Sequence, residues 1–384
     1  MTAQQQAPVE AEPSLATEQL TLNMGPQHPS THGVLRCVLT IDGEVVRNVV
    51  PHIGYLHSSC EKLMESRTYA QILPLLDRFD YLAANFYGLC AARAVEELLA
   101  IEVPPRARWL RTLVCELNRI ASHLLWVATF ALDLGAQTVF LYAFRDREYI
   151  LDLMEDLCGA RLTYNYFRIG GVSHDLPDDG DAGSQGFEER ARWYVGYLPE
   201  RLDEIDRILT GNRIFIARSQ GVGTITAEQA IDWGLSGPML RACGVDFDLR
   251  KAHPYEAYGE VDFDVITRDE GDVLARYWVR MDEMRECLNI IQQALGKLPE
   301  GETLNAPKGR LRPEGEVYSR VESPRGELGM YVIAEGETTP YRWKVRGPSF
   351  CNLAPLNVMA QGSLVADLVA ILGSVDIVLG DVDR

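Results

Sequence analysis

Asp77–Gly135 reads DRFDYLAANFYGLCAARAVEELLAIEVPPRARWLRTLVCELNRIASHLLWVATFALDLG. Apolar residues recur at helical spacing along both halves, and Pro104-Pro105 separates them. The spacing predicts an amphipathic helix over 77–100 with Asp77 as its N-cap, and a second over about 106–134 closed by Gly135. Proline ends the first and suits the first turn of the second.

On the C-terminal side, further helices are predicted over 138–159 and 188–211, with short pieces over 227–234 and 237–243. A long helix follows over 271–298, and a last one over about 355–372. Residues 299–350 are rich in Pro and Gly, with β-like patches at Met330–Ala334 and Tyr341–Val345. On the N-terminal side, Val34–Ile41 and Glu44–Val50 flank Asp42-Gly43, a hairpin signal, and Leu20–Asn23 reads as a third strand. The expected fold class is mainly α with a small β subdomain (α+β), built on a central bundle of long helices. The expected organisation is a disordered or extended tail over 1–17, a β subdomain over 18–58, and a mainly helical domain over 59–384.

Composition narrows the function. Of 384 residues, 47% are hydrophobic and 24% charged, ordinary values for a globular chain. The net charge of −18 opposes binding to nucleic acid or to anionic lipid, both of which need a basic surface. The longest clean apolar run, Leu124–Leu132, is far short of the roughly 20 residues of a membrane span. No basic segment followed by an apolar core marks a signal peptide. A role at a membrane would therefore depend on other subunits. The eight cysteines form no C-x-x-C pair, which points to a reducing compartment without disulfides, zinc or a cluster ligated by this chain alone.

Several groups could carry chemistry. His28 and His32 lie four apart, but Pro26 and Pro29 place them in a loop rather than on a helix face. Loops on a rigid scaffold often present functional groups, although a His pair in a loop is more often structural, and no third metal ligand is near. Asp77 and Asp80 suit a helix start, and Tyr81 suits a half-buried aromatic. Asp133 follows a nearly continuous apolar run in the last turn of its helix. A carboxylate there is disfavoured by the helix dipole and, if it faces protein, needs a cationic or donor partner; a surface Asp is the alternative. Glu61, Lys62, Glu65 and Arg67 read as solvated charges. Arg161 and Arg168 bracket an aromatic patch, and Tyr341–Arg346 is a basic–aromatic strip that reads as a docking surface or an amphipathic strand.

Taken together, these blocks resemble the quinone-pocket subunit (the D subunit) of the proton-pumping NADH–quinone oxidoreductases (respiratory complex I), from about Gln19 to Arg384. The most specific block is GPQHPSTHGVLR (25–36). It is supported by PHIGYLH (51–57), EKLMESRTYAQ (61–71), DRFDY (77–81), ELNRIASHLLW (116–126), FRIGGV (167–172), GVDFDLRKAHPYEAY (244–258), SPRGELG (323–329) and the terminal VDR. The family descends from the nickel–iron hydrogenase large subunit, whose metal is held by two C-x-x-C pairs. Neither pair exists here, so the thiolates that such a soft site needs are missing.

The resemblance implies a hydrogenase-like fold and a quinone head-group pocket. Its contacts would be His32 and Tyr81, with Asp133 as the partner of His32. It further implies electrons from a [4Fe–4S] cluster in the neighbouring small B subunit, and contacts with the C, H and I subunits, of which H lies in the membrane. It implies a peripheral position on the cytoplasmic side of the inner cell membrane. No activity is expected of the isolated chain. The equivalent subunit of a ferredoxin-dependent relative, or a purely structural connector between the arms, is the alternative. Two departures stand out: Ser58 replaces an Arg, and Thr163 a His, found near the cluster in many relatives. Loss of two positive or protonatable groups should make the cluster harder to reduce, which suits a low-potential quinone such as menaquinone.

Overall fold

The 29-residue helix α4, Pro105–Asp133, dominates the structure, a computed structural model that describes residues 18–177 and 186–384. From Leu110 to Ala131 nearly every side chain of α4 is buried, as in a helix surrounded on all sides. The helices in chain order are α1 Cys60–Met64, α2 Tyr69–Leu76, α3 Ala84–Leu99, α4 Pro105–Asp133, α5 Gln137–Cys158, α6 Phe187–Leu209, α7 Arg213–Ser219 and α8 Ala227–Asp232. They continue with α9 Pro238–Arg241, α10 Leu249–Ala252, α11 Val273–Lys297, α12 Pro348–Leu353, α13 Leu356–Ala360, α14 Val365–Val375 and α15 Leu379–Asp383. Helices α3, α5, α11 and α14 pack around α4. Among the described residues, no helix is long and apolar enough to cross a membrane.

Three small antiparallel sheets complete the fold: β1 Gln19–Met24, β2 Arg36–Asp42 and β3 Val45–His52; β4 Phe167–Arg168 and β5 Gly171–Val172; β6 Glu314–Ser323, β7 Gly326–Glu335 and β8 Arg342–Arg346. The chain is mainly α with small β sheets. The first hairpin pairs Asp42 with Val45, so Gly43 and Glu44 form the turn, one residue beyond the expected Asp42-Gly43. Gly43 supplies the positive φ, 61°. The sheet is tied to the C-terminal region: Val46 N donates to Ser363 O (2.8 Å), and Val49 N to Asn357 Oδ1 (2.8 Å).

The structure corrects several expectations. The helix expected over 77–100 starts only at Ala84. Asp77 instead ends α2 and accepts from Asn165 N at 2.8 Å. The Asp80 carboxylate accepts from Leu82 N (3.2 Å) and its carbonyl from Ala83 N (3.1 Å). These local bonds offer the backbone a turn in place of the helix, and they put Tyr81 in a loop. The single helix expected over 355–372 is two, α13 and α14, parted at Gln361–Leu364. Strand β6 falls where no strand was expected. The expected tail, 1–17, lies outside the described residues.

Two features expected to be separate meet each other. Arg342 and Lys344 of the basic strip pair with Glu61 of α1 and with Glu65, which caps its end, at 2.9–3.1 Å. The acids are not simply solvated, because an acid and a base far apart in sequence become neighbours once β8 lies beside α1; the strip itself is an amphipathic strand, with Trp343 and Val345 buried. Arg161 pairs with Asp152 and Glu155 of α5 at 2.8 Å, and Arg168 bonds the carbonyls beside it.

Candidate functional site

The first site element is the loop between β1 and β2. Arg36 closes its base by donating to Asn23 Oδ1 at 2.9 and 3.0 Å. Gly25 (φ 87°) lies so close to Leu35 that a Cβ would meet its carbonyl oxygen at 2.0 Å. No other residue fits there. A 3-10 turn, Pro29–Thr31, occupies the middle of the loop. The two histidines take different parts. His28 caps the turn, accepting from Ser30 N through Nδ1 at 3.3 Å. His32 leaves it in the left-handed region, φ 53°, which turns its ring towards the end of α4.

There His32 Nε2 meets Asp133 Oδ2 at 2.5 Å, with side-chain exposures of 14% and 9%. Asp133 is the last residue of α4. The carboxylate left unfavourable by the helix dipole thus has a donor partner, and the surface alternative is excluded. With Nε2 engaged, His32 Nδ1 has no hydrogen bond among the described residues.

Among the described residues Tyr81 makes no hydrogen bond to this pair. A buried ion network adjoins both. Arg325, in the β6–β7 turn, donates from Nη1 to Asp80 Oδ2 at 2.7 Å and to Ser122 Oγ at 3.1 Å. It donates from Nη2 to Asp376 Oδ1 at 3.1 Å. Asp80 and Asp376 both sit above the ordinary carboxylate range because they are buried, with Arg325 opposing the rise. Tyr81 is 38% exposed. Its own partial burial and then the Asp80 carboxylate raise its hydroxyl above the usual tyrosine range, against Arg325. His32 is among the charges felt by Asp376, so the imidazole and the phenol border one network.

The C-terminal helix α15 gathers the sequence blocks. Leu379 packs where a Gly33 side chain would stand, and Gly380 lies against the carbonyls of Arg78 and Phe79. Asp381 accepts from the Tyr87 hydroxyl and from Ser349 N (2.8 Å). Asp383 accepts from Gly54 N and Leu56 N, both at 2.7 Å, and its carbonyl bonds His57 Nδ1 at 2.7 Å. The histidine loop, 51–57, 77–81 and the chain end therefore share one face.

Ile53, Tyr55 and Leu56 are exposed on that face at 42–47%. Two grooves, of about 430 Å³ beside Tyr69 and Arg310 and about 610 Å³ beside His28 and Met24, include none of His32, Tyr81 and Asp133. Among the described residues no group of three or more His, Cys, Asp or Glu is arranged to hold a metal ion.

Sequence reasoning did not single out Asp80, Arg325 or Asp376 as site residues. For Asp376 a signal existed: like Asp133, it is a carboxylate at the end of an apolar run. Nothing local marks Arg325, because its partners lie 245 and 51 residues away.

The sequence matches the family described as "Respiratory-chain NADH dehydrogenase, 49 Kd subunit" over residues 133–311 and 305–384. It is 49% identical to the D subunit of the NADH-quinone oxidoreductase of Citrifermentans bemidjiense, over 96% of this chain and 100% of that protein. Identity is 50% to the protein of that name from Desulforamulus reducens, with the same coverage. It is 49% to the "H 1" subunit of the NAD(P)H-quinone oxidoreductase of Gloeobacter violaceus, over 96% and 98%. The chain belongs to the 49 kDa subunit family of the respiratory-chain NADH dehydrogenase.

Proposed function

We propose that this chain forms the quinone head-group pocket of a proton-translocating NADH:quinone oxidoreductase, and that His32 and Tyr81 supply its protons. The observation that carries the reading is the His32–Asp133 pair, which leaves His32 Nδ1 without a partner among the described residues. A quinone ring has two carbonyls and becomes a quinol by taking two electrons and two protons. A donor at each carbonyl would hold the ring and deliver the protons. Imidazole can donate near neutral pH. Asp133 orients the ring through its bond to Nε2. A phenol donates only when its anion is quickly reprotonated, since its free pKa is about 10.

The electrons would come from a [4Fe–4S] cluster in the neighbouring small B subunit. The C, H and I subunits would adjoin, holding the chain to the cytoplasmic side of the membrane. The exposed Ile53, Tyr55 and Leu56 beside the site suit a face that other subunits cover.

Tyr81→Phe in the assembled enzyme tests the reading. It keeps the ring and removes the proton. Turnover with quinone is expected to fall by about 10²-fold, with NADH oxidation by an artificial upstream acceptor unchanged. Unchanged quinone turnover in both this variant and a His32 variant would leave only a structural connector. A redox titration tests the surroundings. With Ser58 and Thr163 in place of basic groups, the terminal cluster should show a low, weakly pH-dependent midpoint suited to menaquinone. A high, steeply pH-dependent midpoint is the contrary result.

A further inference from the structure

Asp376 closes α14, three residues after Gly373, which lies against Asp133. It caps that helix in the left-handed region, φ 60°, where Asp and Asn are tolerated better than most residues. Its side chain is almost wholly buried. Oδ1 accepts from Arg325 Nη2 at 3.1 Å, and the backbone carbonyl accepts from Arg325 Nε at 2.9 Å. Oδ2 is shut away from water and has no donor among the described residues. A buried carboxylate oxygen without a partner calls for a reason.

The charged groups around it come from four elements. Arg325 comes from the β6–β7 turn, Arg280 from α11, Asp80 from the turn before α3, and His32 from the N-terminal loop. Asp133 lies close by: its Oδ2 is 3.2 Å from where a Cβ on Gly373 would stand, three residues before Asp376. Arg280 is fully buried and spends its Nη atoms on the carbonyls of Arg276 and Val375, at 3.1 and 3.3 Å. Its guanidinium lies 4.4 Å over the Trp126 ring. Asp376 is thus the carboxylate common to the two arginines and the imidazole.

We propose that Asp376 is a positioning residue for the quinone chemistry: with Asp133 it is the second carboxylate that governs the charge of His32, and it links that imidazole to Arg325 and Arg280. It acts through His32 and does not contact the quinone. When His32 gives up its proton, the His32–Asp133 pair passes from neutral to net negative. An ionised Asp376 opposes that change and a neutral one permits it. Burial favours the neutral form, and the two arginines oppose it. Proton release at His32 is therefore tied to the arginines by one group. The inference rests on the reading of His32 as a proton donor.

Asp376→Asn in the assembled enzyme is the test. The amide keeps the shape, the left-handed backbone and an acceptor for Arg325, and removes the charge. Loss of an anion near the imidazole disfavours its cationic form. The alkaline limb of the turnover profile should then move to lower pH by about one unit, with quinone KM within two-fold of the parent as about the limit of change. Asp376→Glu keeps the charge and should retain the parental limb, even if turnover falls. If Asp376→Asn fails to assemble, Asp376→Ser also removes the charge and takes its place. An uncharged variant with the parental limb, or a Glu variant shifted like Asn, overturns the proposal. The two levels separate cleanly: if His32→Ala retains turnover, the proton-donor reading fails. If His32→Ala abolishes turnover while the uncharged Asp376 variant keeps the parental limb, only this inference fails.

Discussion

His32→Ala in the assembled enzyme is expected to lower quinone turnover by about 10²–10⁴-fold, the contribution of a positioned general acid. Among the described residues the imidazole is held by one bond, 2.5 Å to Asp133, on a loop fixed at its base by Arg36 and Asn23. Truncation removes the ring and leaves Asp133, 9% exposed, without its partner. His28→Ala is the matched control. It removes a cap worth about 0.5–2 kcal/mol at most and should leave turnover within a few-fold of the parent. Asp133→Asn should fall between them, since it keeps an acceptor for the ring but loses the charge. Equal losses at His28 and His32 would mean that the loop matters only as structure.

The second large effect is on stability. Arg250→Met is expected to destabilise the chain by about 3–5 kcal/mol, the range for removing one partner from a buried ion network. Arg250 lies at the centre of a cluster whose members are at most 2% exposed: Glu116, Arg119, His123, Arg241, Asp248, Arg250, Glu283 and Glu322. Its guanidinium meets Asp248 at 2.7 Å and both Glu116 and Glu283 at 3.1 Å. Methionine fills similar volume but leaves these three carboxylates with Arg119 and Arg241 as their remaining arginine partners.

Burial by itself would raise these acids. Arg241, the hydrogen bond from His123 and Arg119 outweigh it and hold Glu283 well below the usual range. Arg250 and Arg241 likewise hold Asp248 down to about 2. Unfolded carboxylates titrate near about 4. Because the folded values lie lower, this contribution is complete above that pH and is lost as pH falls towards about 2. The variant should therefore show a lower urea midpoint at neutral pH with an unchanged slope, and a shallower loss of stability in acid. A midpoint equal to the parent's would contradict the expectation.

Much of the fold was legible because it is local. Helices α4, α5, α6 and α11 lie within two residues of their expected ends, since periodicity, proline and terminal glycine act over a few residues. The exceptions share one cause. Asp80 reads as a first-turn helix acid. In the structure Arg325 draws its carboxylate into the core, and its own turn bonds delay the helix to Ala84. Glu61 and Arg342 read as separate surface charges until β8 lies beside α1.

The sequence by itself determined the helical bundle and the N-terminal hairpin with its glycine turn, because these follow from apolar spacing and a positive φ; its blocks carried the resemblance to the family, and for Asp133 it left a choice between a buried partner and the surface. Only the tertiary structure decided which partner answered. It brought His32 to Asp133 across 101 residues, made His28 a cap, and set Arg325 between Asp80 and Asp376. Pairing at that separation is chosen by how the elements pack and by the need of each buried charge for the nearest opposite one, and no local pattern encodes either.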